Sequence, residues 1–356
     1  MSPAKQLRFW LIGLGLFVLA LWMLSGMLLP FVAGLAIAYL LDPVVDRLER
    51  WGLPRWLATT TVLLSFVVVL VLFALLLLPL VQAQVAHLIE VLPHYATVLR
   101  ERVLPMLDRL IHRLSPEDVE RLRGAAGSYA GDVVGWVGRM LTRILSGGLA
   151  LFDVLSVLFI TPIVAFYLMR DWDVLVATVD SWLPRHHAET IREQAREVDS
   201  TLAGFVRGQA LVCVVLGVFY AVALSAAGLD FGLVIGLVAG LLSFIPYVGS
   251  LFGFVSSTGL ALLQFDELWR VGIVVGIFLF GQAVEGNVLT PKLVGEKVGL
   301  HAVWVIFALL AGGSLFGFVG VLLAVPVAAV IGVLTRFALR QYLASPYYRG
   351  NGTVEP

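Results

Sequence analysis

The chain has 356 residues, of which 60% are hydrophobic and only 13% charged, with 24 basic side chains balanced by 24 acidic ones and a mean hydropathy of +0.96. A water-soluble enzyme cannot bury so much apolar surface with so few charges left to cover it, and the balanced charge sets up no net field towards nucleic acid. The single cysteine, Cys213, has no internal disulfide partner, and its apolar run argues against redox chemistry or a cysteine metal cluster.

Several stretches exceed the roughly 18 uncharged residues that mark a membrane span. They predict an all-α polytopic membrane protein of about eight passes, including broken or re-entrant helices, with a small helical domain outside the bilayer. From Phe9 to Leu41 no charge occurs. As one helix this run would be about 50 Å long against a hydrocarbon core of about 30 Å, so a break at Ser25, Gly26 and Pro30 is expected, with a return helix ending near Asp42 and Pro43. Lys5 and Arg8 before an apolar core also fit a cleaved signal peptide, but apolarity continues past Pro30 and favours a retained anchor.

Leu57 to Val81 forms a third expected span, preceded by Arg47, Arg50 and Arg55, which place that connector in the cytoplasm. Residues 1–81 thus form an N-terminal membrane unit. Residues 82–147 change character: eight arginines and seven acids are interspersed with Val85, Leu88, Leu92, Leu99, Val103, Leu107, Leu110 and Leu114 at largely helical spacing. Ser115, Pro116, Glu117 and Asp118 read as a helix start. Topology puts this amphipathic helical domain outside the cytoplasm.

Residues 148–340 are expected to form the transport core. Its first span runs from about Gly148 to Met169, followed by an amphipathic cytoplasmic helix near 184–204 and a fifth span from Gly208 to Leu229. Phe231 to Phe265 is again too long for one pass and is broken at Ile245-Pro246-Tyr247-Val248-Gly249, so a hairpin or two half-helices are expected. Gly232, Gly236 and Gly240 recur at the four-residue spacing that lets membrane helices approach closely. Another span covers Val271 to Leu289. The last apolar run, Val298 to Thr335, is interrupted by Gly312, Gly313, Gly317 and Gly320, implying two passes and a cytoplasmic tail at 341–356. Gly249-Ser250-Leu251-Phe252-Gly253-Phe254 recurs as Gly313-Ser314-Leu315-Phe316-Gly317-Phe318. Interrupted helices in corresponding positions point to a transporter site, and coincidence in a chain rich in Gly, Leu and Phe is the rival reading.

No phosphate-binding loop, His-Glu-x-x-His pair or Gly-x-Ser-x-Gly elbow occurs, so neither an ATPase nor an intramembrane hydrolase is expected, nor any cofactor or resident metal. The polar residues that stand out are Gln282, Glu285 and Asn287, near Lys292 and Pro291. Gln282 and Glu285 share a helix face, and Pro291 ends or unwinds that helix. Freed backbone beside a carboxylate can coordinate a cation or hold a proton, whereas long side chains near helix ends also simply snorkel to water. Asp153, inside the fourth span, is a second candidate coupling acid or an interfacial residue. Pro246, Tyr247, Gly249, Ser250, Pro291, Gly313 and Gly317 are candidate pathway or hinge residues. Arg207 reads as a cytoplasmic anchor, with Gln209 available for hydrogen bonding between helices.

An ordered set of motifs then resembles the autoinducer-2 exporter-like family, also called the PerM-type permeases. It comprises Asp42-Pro43-Val44-Val45-Asp46-Arg47-Leu48-Glu49-Arg50 with Gly52-Leu53-Pro54-Arg55, then Phe166-Tyr167-Leu168-Met169-Arg170-Asp171 and Gly208-Gln209. It continues with Ile245-Pro246-Tyr247-Val248-Gly249, Gln282 with Glu285, Asn287 and Pro291, Gly299-Leu300-His301, and Gly312-Gly313 before Phe316-Gly317 and Pro326. The resemblance covers nearly the whole chain; Asp42 departs from it, standing where family proteins commonly have Asn. It implies a multi-pass protein of the bacterial inner membrane, a homo-oligomer, and export of a small solute such as autoinducer-2, or sodium or lithium for proton antiport. A passive oligomeric channel or scaffold is the reading from a different class.

Overall fold

The computed structural model describes residues 12, 13, 15, 16, 18–98, 148–294 and 299–349. Every regular element among these residues is helical. A short 3-10 turn at Ser25–Met27 leads into α1 (Leu28–Arg50), followed by α2 (Arg55–Val98), α3 (Gly148–Ser181), α4 (Ala188–Ala226), α5 (Gly232–Leu242), α6 (Val248–Gln264) and α7 (Leu268–Val284). A π-helical segment at Glu285–Val294, α8 (Ala302–Ala344) and the short α9 (Pro346–Arg349) complete the order. Five segments among the described residues are long and apolar enough to cross a membrane: Ser25–Arg50, Arg55–Gln84, Ala188–Ala226, Leu268–Leu293 and Ala302–Ala344. Large apolar side chains such as Leu64, Val69, Leu72 and Leu76 on α2 point outward, as they must in a lipid-facing helix.

The expected break at Ser25 and Gly26 is present, but α1 does not end near Pro43; it runs on to Arg50. Proline is tolerated here because the carbonyl it leaves without an intrahelical donor, that of Tyr39, accepts instead from Arg207 Nε at 2.8 Å. The third span reaches Gln84, close to the expected Val81, and its helix runs on as far as Val98. The remainder of the expected extracytoplasmic domain, 99–147, lies outside the described residues. The cytoplasmic helix and fifth span are one 39-residue helix. Nothing in Arg207-Gly208-Gln209 breaks it, because Gly208 and Gln209 are both buried against neighbours in helical conformation.

Two cores organise the fold. One joins α1, α2 and α3 through Ala38, Val45, Ala58, Val62, Ala165 and Met169. At its centre Gly34 leaves room for Val164, and Thr161 Oγ1 donates to the Pro30 carbonyl at 3.3 Å. The other packs α4 against α5, α6, α7 and α8, with Tyr220 and Phe278 stacked at 4.4 Å between centroids and 15° between planes. Lipid is as apolar as these side chains, so the helices associate through close packing and hydrogen bonds. The glycine spacing on α5 shows how. Gly232 faces Leu224, Gly236 faces Ala221 and Gly240 faces Gly217 on α4, each with no room for a Cβ.

The two remaining over-long runs fold back on themselves. Gln264, at the end of α6, accepts from the Asp230 amide at 2.8 Å and donates to the Gly228 carbonyl at 2.9 Å, so α6 finishes on the side where α5 began. The α5–α6 pair is therefore a re-entrant hairpin, turned at Ser243–Tyr247 around Pro246, with Tyr247 at φ 68°. In α8 the turn is Gly317, at φ 59° and ψ −137°. The Gly312 and Gly320 backbones touch, and Gly332 lies beside Leu300, as they can only if the chain reverses at Gly317. The first arm, 302–316, is about 21 Å long and too short to cross a core of about 30 Å. The expected two passes are thus a short re-entrant arm and a long returning helix, entering from the side opposite to the α5–α6 hairpin. The repeated hexapeptide is not placed equivalently in the two: Gly249 opens α6 just after its turn, whereas Gly317, fifth in its copy, is itself the turn.

Candidate functional site

The polar residues singled out near the end of α7 fall at the change from α-helical to π-helical winding. Pro291 supplies no amide and stands within the π segment, and such local rewinding recurs at functional positions in helices. Gln282 Nε2 donates to Glu285 Oε2 at 2.7 Å, so these two are brought together as their spacing predicts. Glu285 is half-buried and lies within electrostatic reach of Cys213 and Tyr220 on α4. Asn287 is not part of the pair: its Nδ2 donates back to the Ala283 carbonyl at 2.8 Å. Lys292 is exposed. The Asp153 side chain lies outside the described residues.

The hinge residues divide between the two hairpins. Ser250 Oγ donates to the Tyr247 carbonyl at 3.1 Å, and Gly249 packs against the Ser243 amide, where a Cβ would not fit. The α5–α6 turn is held from α4 by Gln209, whose Nε2 donates to the Ser243 carbonyl at 2.5 Å. Four residues on, Cys213 faces the Leu241 carbonyl, so one α4 face touches both the turn and the neighbourhood of Glu285. Gly313 packs on Val321 across the second hairpin and Gly317 forms its turn.

A further feature was not anticipated from the residues. Between α1, α3 and α4, at the end of the bundle where α1 turns into α2, lies a cavity of about 310 Å³ lined by Tyr39, Asp42, Trp172, Asp199, Ser200 and Arg207 among others. Ala38, Ala203 and Gly204 keep its walls apart. Tyr39 donates through its hydroxyl to Asp199 Oδ1 at 2.9 Å, and its ring meets Trp172 edge-on at 6.2 Å. Arg207, expected only as an anchor, is locked to the Tyr39 carbonyl. The signal in the sequence was Pro43: a proline inside a helix frees the carbonyl four residues earlier for a distant donor.

Beside the cavity Arg55 gathers four carboxylates, at 2.7 Å from Asp173, 3.2 Å from Glu49, 3.5 Å from Asp42 and 3.8 Å from Asp46. Its Nε donates to the Met169 carbonyl at 2.9 Å and so ties α2 to α3. Past the ends of the apolar spans on this side, Arg192 donates to Asp180 through Nε at 2.7 Å and Nη2 at 3.0 Å, which holds the Asp180 carboxyl below the usual carboxylate range. At the opposite end Tyr95 donates to Asp230 Oδ2 at 3.1 Å, with His87 Nε2 at 3.8 Å. Burial and the Asp230 charge push the Tyr95 hydroxyl up to about 12.

Residues 11–340 match the family described as AI-2E family transporter. The chain is 31% identical over 326 residues, covering 88% of this chain and 86% of the relative, to the protein of Bacillus subtilis (strain 168) named "Putative transport protein YrrI". It is 29% identical over 317 residues, 86% of each chain, to the protein named "Putative permease PerM" of Escherichia coli (strain K12). It is 25% identical over 310 residues, 87% of this chain and 85% of the other, to the protein of the same strain named "AI-2 transport protein TqsA". With helices that cross the membrane, re-entrant hairpins from both sides and a family match over most of its length, this chain belongs to the AI-2E family of transporters.

Proposed function

We propose that this protein is a gradient-coupled secondary transporter that exports a small solute across the bacterial inner membrane. The observation that carries the reading is the pair of opposed re-entrant hairpins, turned at Pro246 and Gly317, because broken helices at membrane depth are the usual material of transporter sites and gates. Glu285 carries the coupling proton or ion, Gln282 orients it, and Asn287 and Asp153 are secondary polar groups along the route. Tyr247, Gly249, Ser250, Pro291 and Gly313 belong to the moving segments. Copies of the chain assemble as a homo-oligomer. The name of the Escherichia coli relative TqsA makes autoinducer-2 the first solute to test.

Inside-out vesicles from cells producing the protein should accumulate autoinducer-2 when respiration is energised, and lose that accumulation with a protonophore or with Glu285→Gln. Accumulation indifferent to both would sink the coupling role of Glu285. A sodium-triggered proton movement in proteoliposomes without solute would move the assignment to cation/proton antiport.

A further inference from the structure

We infer that the cavity between α1, α3 and α4 is a binding site for a small organic ammonium cation, held by Asp42 and Asp199 against the Trp172 and Tyr39 rings. Its size is the first argument. About 310 Å³ reaches the lower end of the range for small-molecule pockets and is far larger than a dehydrated monovalent ion requires. The walls are formed rather than collapsed: Ala38, Ala203 and Gly204 supply too little side chain to fill the space, and the Arg207–Tyr39 bond fixes α1 against α4.

Charge is the second argument. Two carboxylates, Asp42 and Asp199, face one guanidinium, Arg207. Arg55 reaches Asp42 through Nη2 at 3.5 Å but does not redress the balance, since its single charge is shared with Asp46, Glu49 and Asp173. Asp199 uses Oδ1 to accept from Tyr39, leaving Oδ2 for a ligand. The surplus is negative in a partly enclosed space, where a cation gains more than it would in open water. The third argument is the aromatic pair. Trp172 and Tyr39 meet edge-on, and an ammonium group beside such rings is attracted by their quadrupoles. A hard inorganic cation would instead need several oxygen ligands converging on it, whereas this lining mixes carboxylate, guanidinium and aromatic surface.

The site is also joined to the transport machinery. Arg207 lines the cavity, and Gln209, two residues along α4, holds the α5–α6 turn at Ser243. A ligand that draws on the Asp42, Asp199 and Arg207 charges therefore acts on the helix that fixes the first hairpin. This places the site at the cytoplasmic mouth of the route, an assignment that rests on the transport reading; the binding itself does not.

The test is equilibrium binding of radiolabelled choline to the purified full-length protein in detergent, with tetramethylammonium, sodium and erythritol as competitors. Saturable binding displaced by tetramethylammonium but by neither excess sodium nor erythritol is expected. It should weaken at least tenfold in Asp199→Asn and in Trp172→Leu, and be largely kept in Trp172→Phe, each with an unchanged size-exclusion profile. No saturable choline binding to wild type, displacement by erythritol, or equal binding in Asp199→Asn and Trp172→Leu would each overturn the proposal. A protein that exports autoinducer-2 yet binds no choline refutes this site alone; choline binding without energised solute movement refutes the transport reading and leaves the site standing.

Discussion

Gln209 and Ser243, 34 residues apart, are joined by a 2.5 Å hydrogen bond from the Gln209 amide to the Ser243 carbonyl, with both residues buried. Ser243 caps α5, so its carbonyl belongs to a helix end with no intrahelical donor. In a membrane there is no water to replace the amide. The contact is thus a fixed point at which a long crossing helix holds the turn of a re-entrant hairpin.

Gln209→Leu removes the donor while keeping comparable bulk. Leaving a buried acceptor unpaired costs about 1–3 kcal/mol, and the thermal unfolding midpoint of the purified protein should fall accordingly, together with solute flux. An unchanged midpoint would mean that the Ser243 carbonyl finds another donor.

The α4–α5 contact depends on the absence of a Cβ at Gly236, which would meet the Ala221 backbone. Backbone cannot give way as a flexible side chain can, so Gly236→Val should abolish the monodisperse peak in fluorescence-detected size exclusion. Gly259→Ala is the matched control, since nothing lies within 4 Å of a Cβ there. Equal behaviour of the two variants would show that the close approach is dispensable.

The Asp180 carboxyl is depressed by its hydrogen bonds from Arg192, so its contribution has a definite sign. A depressed carboxylate stabilises above the unfolded-state value, near 3.8, and loses that contribution as pH falls through its lower folded value. Arg192→Gln should therefore lower stability at neutral pH relative to wild type, and the gap should narrow on acidification below about pH 4. Melting curves across pH 3–7 read this directly; a gap independent of pH would assign the effect to helix packing.

Much of this was legible in residue order because bilayer physics is severe. Uncharged runs longer than one crossing had to break, and Ser25, Pro246 and Gly317 mark where they do. The glycines of α5 announced a close helix contact through their spacing, and Gln282 and Glu285 met because three residues along a helix is one turn. All of these are local or periodic properties. Where local punctuation was read too strongly the expectation failed, as at Pro43, because a distant partner satisfied the backbone.

What the tertiary structure alone decided is non-local. That the last two over-long runs become hairpins entering from opposite sides follows from Gln264 meeting Asp230 and Gly312 meeting Gly320, contacts with no periodic signature. The cavity is likewise assembled from three helices, with Tyr39 and Asp42 standing more than a hundred residues before Trp172 and Asp199. Composition and periodicity determine that this chain lives in a membrane and where its helices break; which polar groups then face one another depends on how the broken helices pack, and no single segment carries that.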